Sequence, residues 1–153
     1  MKYKLLPLLL LFYAVSGRTE NPAHVCVRHL VLPTPYPILA RAARLQGTVV
    51  AKLSISAEGI VTAAKVDSED SLLAAHPLLQ YATERLVRNW TFECASCAPG
   101  SGFEQVIKFN YRLQGEDSDY DKTEVSLDLP GEVDIVARPP RVNTSSDKNS
   151  KRH

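Results

Sequence analysis

The residues best suited to redox or metal chemistry in this 153-residue sequence are three cysteines and four histidines. Cys94 and Cys97 stand as C-A-S-C, and Cys26 lies far away along the chain. A thiol–disulfide redox pair works at a helix amino terminus, where the helix field lowers the thiol pKa. Here the pair follows a helical pattern and precedes Pro99-Gly100. That is the position of a local staple in a loop, and closing so small a loop contributes about 2 kcal/mol. Cys26 could bridge to Cys94 or Cys97 instead, or stay free. Zinc needs four ligands, and a lone C-x-x-C supplies two. His24, His29, His76 and His153 make no ligand spacing; His76, beside Pro77, reads as an end-of-helix residue. There is no Gly-rich phosphate loop and no G-x-S-x-G. No catalytic residue, metal or cofactor is expected, and the chain is not expected to be an enzyme.

The compartment sets what those cysteines can do. Lys2 and Lys4 precede an apolar run from Leu5 to Val15, and Ser16-Gly17 follows with small residues. That order predicts a secretory signal peptide over 1–17. The run is well short of the roughly 20 residues that cross a bilayer as a helix. An exported chain meets an oxidising environment, so disulfides are allowed, and a periplasmic or secreted location is expected. The formal charge is +1, which gives no basic balance for nucleic acid. The full sequence is 44% hydrophobic and 23% charged, ordinary for a globular protein, and its length without the leader suits one domain.

The elements that position these residues follow from periodicity. Residues 18–30 show no regular pattern and read as an amino-terminal arm. Pro33, Pro35 and Pro37 stiffen the next stretch; Pro37 can open a helix, Ile38, Leu39, Ala42 and Leu45 recur at helical spacing, and Gly47 stops it. Over 48–56, Val49, Ala51, Leu53 and Ile55 alternate with Thr48, Val50, Lys52, Ser54 and Ser56, the mark of a half-buried strand. Ala57-Glu58-Gly59 turns the chain into a second strand over 60–67, making an antiparallel hairpin. Residues 68–75 are ambiguous. Pro77 fits a first helical turn, and Leu79, Ala82, Leu86 and Trp90 form one apolar stripe, with Gln80, Thr83, Glu84, Arg85 and Arg88 mostly elsewhere. A loop over 94–102 leads to a third strand, 103–113, in which Phe103, Gln105, Ile107, Phe109 and Tyr111 alternate with Glu104, Val106, Lys108, Asn110 and Arg112. The expected fold is α+β: a small three-stranded antiparallel sheet, a short amino-terminal helix and one longer packed helix.

At this point several fragments act together. Tyr36-Pro37, the Ala-rich short helix, G-T-V-V at 47–50, E-G-I-V at 58–61, H-P-L-L at 76–79 and R-N-W-T-F at 88–92 stand in order before a closing strand. Over residues 31–113 the chain resembles the TonB carboxy-terminal domain family. In that pattern Tyr36, Pro37, Gly47, Gly59, Trp90 and Phe92 are fold residues, with Trp90 and Phe92 expected to lock the helix onto the sheet. The resemblance implies a binding module that grasps a short segment of an outer-membrane TonB-dependent receptor, meeting the membrane only indirectly. The guest would add as a strand along the edge made by Glu104, Gln105, Val106, Ile107, Lys108, Phe109, Asn110 and Tyr111. A secreted interaction or inhibitor protein that keeps the fold without energy transduction is the alternative.

Two features depart from the family pattern. A full transducer carries a transmembrane anchor and a long Pro-rich spacer; here a short arm separates the leader from the domain. Even extended it spans roughly 60 Å at about 3.3 Å per residue. The second is the tail. Residues 114–140 begin with an acidic linker, after which Val125, Leu127 and Leu129, then Val133, Ile135 and Ala137, alternate around Pro130-Gly131. This reads as a second hairpin or two further strands. E-V-D-I-V-A-R-P at 132–139 is similar to the acidic, β-branched segments such domains bind, so it is also a candidate to dock on the domain's own edge. Residues 141–153 are polar and expected to be disordered.

Overall fold

The computed structural model describes residues 25–32, 36–120 and 122–141. The expected leader, the first part of the arm, Pro33, Pro35 and the tail beyond Arg141 lie outside the described residues.

Strand β1 is Val25–His29, helix α1 is Ile38–Ala42, and strands β2 and β3 are Gly47–Ile55 and Val61–Asp67. Helices α2 (Ser71–Ala75) and α3 (Leu78–Val87) follow, then strands β4 (Thr91–Cys94), β5 (Phe103–Leu113), β6 (Glu124–Asp128) and β7 (Glu132–Ala137). Among the described residues, no helix is long and apolar enough to cross a membrane.

The sheet is larger than three strands, and this corrects the expected fold. The architecture is α+β, but it holds a five-stranded sheet in the order β3-β2-β5-β7-β6, a separate two-stranded sheet of β1 and β4, and three small helices. β2 pairs antiparallel with β3 and with β5, β6 pairs antiparallel with β7, and β7 lies parallel to β5, so the sheet is mixed. The three strands legible from alternation do sit side by side. What alternation cannot carry is partner choice: β7 reaches β5 only after the chain has run through the 114–123 linker and β6. The arm was likewise expected to be irregular, yet Val25–His29 pairs with Thr91–Cys94. A short strand with one buried residue, Val25, has too little pattern to be seen before its partner is known.

The core lies on one face of the large sheet. Val49, Ala51, Leu53 and Ile55 from β2 face it, with Ile107, Phe109 and Tyr111 from β5 and Val133, Ile135 and Ala137 from β7, all buried. α3 packs over β3 and β2. Its buried residues are Leu79, Gln80, Thr83 and Val87, a stripe rotated from the one that hydrophobicity predicts. Gln80 and Thr83 go inside because both are bonded there: Gln80 Nε2 donates to Leu73 O at 2.8 Å, and Thr83 Oγ1 contacts Leu79 O and Tyr111 Oη, each at 2.8 Å. α2, ambiguous in sequence, is started by Asp70, whose carboxylate accepts from Leu72 N and Leu73 N.

α1 ends differently from the expected stop at Gly47. Arg44 takes φ +53°, Leu45 N donates to Ala40 O at 2.8 Å, and Arg44 N donates to Arg41 O at 3.0 Å. This is the Schellman end of a helix with arginine where glycine is usual. Gly47, at φ +146°, serves a close approach instead: a Cβ there would lie 2.9 Å from Leu73 Cδ1.

Candidate partner-binding edge

β5 is the strand from which the candidate site is built. Along one side it pairs with β2 from Gly47↔Tyr111 to Ile55↔Phe103. Along the other side β7 runs parallel to it, from Lys108↔Glu132 to Leu113↔Ala137. The proposed docking edge is therefore divided. Lys108, Phe109, Asn110 and Tyr111 lie beside β7, and Glu104, Gln105, Val106 and Ile107 lie beyond its start. Lys108 N donates to Gly131 O at 2.9 Å, so even-numbered residues of β5 direct their main chain toward β7. Gln105 folds its amide over this side: Nε2 donates to Val106 O at 2.9 Å and to Pro130 O at 3.1 Å.

Side chains add selectivity to the main-chain pairing. On the polar face, Asn110 Nδ2 donates to Glu132 Oε1 and, at 3.2 Å, to Asp134 Oδ1, while Thr48 Oγ1 donates to Asn110 Oδ1 at 2.8 Å. Arg112 Nη2 lies 3.0 Å from Asp134 Oδ1. Two acidic side chains of β7 thus meet an amide and a guanidinium of β5. On the apolar face, Val133 and Ile135 are fully buried. Sequence alternation gives Arg112 a face, but it has no acidic partner until β7 lies beside it.

The remaining fold residues belong to the core and to turns. Tyr36 is buried, donates to Leu45 O at 2.7 Å, and packs edge-on against Tyr111 with ring centroids 5.4 Å apart. Burial first, and the neighbouring Tyr111 second, push the Tyr36 phenol well above its ordinary pKa. Pro37 precedes α1, and its carbonyl accepts from Arg41 N at 2.8 Å. Gly59, at φ +85°, accepts from Phe92 N at 2.8 Å and so ties the β2–β3 turn to β4. Trp90 follows α3, stacks 5.8 Å from Phe109 and 6.3 Å from Phe92, and donates through Nε1 to Val31 O at 3.0 Å.

Residues 33–113 match the family model of the Gram-negative bacterial TonB protein C-terminal. The chain belongs to this family. Neither a curated protein nor a solved structure matches it. TonB carboxy-terminal domains are periplasmic protein-interaction domains, generally linked to energy transduction for transport; they interact with outer-membrane receptors and are not a family of catalysts. In this TonB-family chain, the match ends at Leu113 and β6 and β7 lie beyond it.

The cysteines take the local pairing. Cys94 and Cys97 form a disulfide with Cα atoms 5.4 Å apart. It closes the end of β4, a strand, so no helix field acts on it. Cys26 is free and exposed. It stands opposite Glu93, while Val25 stands opposite Cys94, so Cys26 leaves the other face of the two-stranded sheet from Cys94. Among the described residues no group of three or more His, Cys, Asp or Glu is placed to hold a metal ion.

Proposed function

We propose that this chain is an exported, periplasmic binding module that takes an extended segment of an outer-membrane TonB-dependent receptor by strand pairing along β5. Family membership supports the partner class. The observation that carries the mode is the six-residue parallel pairing of β7 with β5, made by a segment from outside the family-matched region. A strand edge that accepts one extended segment in this register has the main-chain groups to accept another. The test is a calorimetric titration of the full chain with synthetic receptor segments. Binding that is lost when a proline replaces the central residue of the peptide supports strand pairing. No binding by any receptor segment, with no receptor retained in a pull-down, would sink this reading.

A second reading is favoured by the same strand. β7 buries Val133, Ile135 and Ala137 beside the edge where a receptor segment would lie. A secreted interaction protein that keeps the fold without energy transduction needs no free β5 edge. A pull-down that retains other envelope proteins and no receptor supports it.

A further inference from the structure

Besides its pairing with β5, the β6–β7 hairpin is held to the domain by arginines of the α1 region. Arg41, on α1 inside the family-matched region, sends Nε to Arg138 O at 2.8 Å and Nη2 to Ser118 O at 2.6 Å. Nη2 also reaches Tyr120 O at 3.3 Å and Pro139 O at 3.5 Å. Ser118 and Tyr120 precede β6, and Arg138 and Pro139 follow β7. A single guanidinium thus grips the chain on both sides of the hairpin, a task its planar fork of donors suits. Arg44 adds a second hold: its Nη2 donates to Asp117 Oδ2 at 2.8 Å and to Pro140 O at 3.1 Å. Arg44 does so from the left-handed conformation described above, which an L side chain adopts at a cost.

Between those holds β7 has the features of a guest. It is parallel to β5, it lies outside the family-matched region, and its side chains alternate acidic with apolar. Glu132 and Asp134 meet Asn110 and Arg112, and Val133 and Ile135 enter the core. We propose that β7 is a tethered guest strand, latched by Arg41, that occupies the β5 edge until a partner segment of the same chemistry displaces it. That chemistry is an extended peptide with acidic residues at alternate positions and branched apolar residues between them. The inference rests on the strand-pairing reading above. A short tether holds its guest at an effective concentration of about millimolar, so a free peptide making equal contacts competes poorly until the latch opens.

The test uses the full chain and two variants. Asp134→Asn removes the Arg112 ion pair from the tethered strand while leaving β5 intact for a peptide that keeps its own aspartate. Arg41→Ala removes the latch. The probe is a fluorescent peptide of sequence E-V-D-I-V-A, with amide exchange followed in β2 and β7. Binding should be weak in the natural chain and tighten about fivefold or more in each variant, on the order of what losing one ordinary hydrogen bond or partly exposed ion pair brings. Added peptide should speed exchange at Val133 and Ile135, while continued protection at Ala51 and Leu53 reports an intact domain. Equal peptide affinity in all three proteins, or binding with Val133 and Ile135 still protected, would overturn the tethered guest. If the E-V-D-I-V-A peptide displaces β7 but no receptor segment does, the tethered guest stands and the receptor reading falls.

Discussion

The Thr83 hydroxyl on α3 lies 2.8 Å from the Tyr111 hydroxyl on β5. Thr83 also contacts Leu79 O at 2.8 Å. A threonine has one proton to give, so when it donates to Leu79 O, Tyr111 donates to Thr83. Through this bond the helix is registered against the strand that carries the candidate edge. Replacing Thr83 by valine keeps the shape and strands the Tyr111 hydroxyl in the core. The expected cost is about 1–3 kcal/mol. In a double-mutant cycle with Tyr111→Phe, measured by urea unfolding, the second substitution should cost less in the Thr83→Val background. Strictly additive losses would show that the two hydroxyls do not act together.

Alkali should weaken the fold through the same residue. Burial pushes the Tyr111 phenol from 10.0 up to about 12. A group whose folded pKa is raised contributes stability that is intact below its unfolded pKa. Above pH 10 the unfolded chain sheds the phenolic proton before the folded one does, so stability falls until the folded phenol ionises as well. The loss from Tyr111 is on the order of 3 kcal/mol between about pH 10 and 12. Tyr36, raised in the same direction, extends the loss. Urea midpoints across this range should fall steeply, and less so in Tyr111→Phe. A flat profile to pH 11.5 would contradict the burial argument.

Trp90 is the chain's single tryptophan and is 1% exposed. Trp90→Ala should cost about 3–5 kcal/mol, the range for removing a buried aromatic side chain. Trp90→Phe should cost less, yet it leaves Val31 O without its indole donor. Because the indole joins the segment after β1 to β5, its fluorescence should report arm and core together. A shift in emission at lower denaturant than the main transition would show that the arm detaches first.

Two glycines with similar backbone angles make a paired test. Gly59 has φ +85°, and a Cβ there would sit 1.9 Å from Phe92 O; Gly100 has φ +75° with nothing within 4 Å. Gly100→Ala should cost about 1–2 kcal/mol from backbone conformation alone. Gly59→Ala carries that cost and must also push aside the Phe92 carbonyl on β4, so its loss should be clearly larger. Equal losses would mean that the contact to β4 is without consequence.

Reduction should change little. Before a reductant is added, a thiol reagent should label Cys26 alone, since Cys94 and Cys97 are paired. Reducing that bond should lower unfolding stability by about 2 kcal/mol or less, with peptide binding unaffected. Loss of binding on reduction would bring the disulfide loop into the function.

The information readable along the chain is local. Alternation at Val49, Ala51, Leu53 and Ile55, and again from Phe103 to Tyr111, is enough to make strands with a known inner face, because a one-residue slip would turn those side chains into water. Ordered motifs from Tyr36 to Phe92 were enough to indicate the family. Strand partners and inward-facing polar groups are set when distant segments meet in the fold. β1 meets β4, β7 adds to β5 in parallel, and Thr83 turns inward to Tyr111, each because a distant group supplies hydrogen bonds or apolar surface that no nearby stretch of sequence contains. Whether the β5 edge stands empty or filled is a property of that kind: it depends on where Arg41 holds a hairpin that begins more than eighty residues later in the chain.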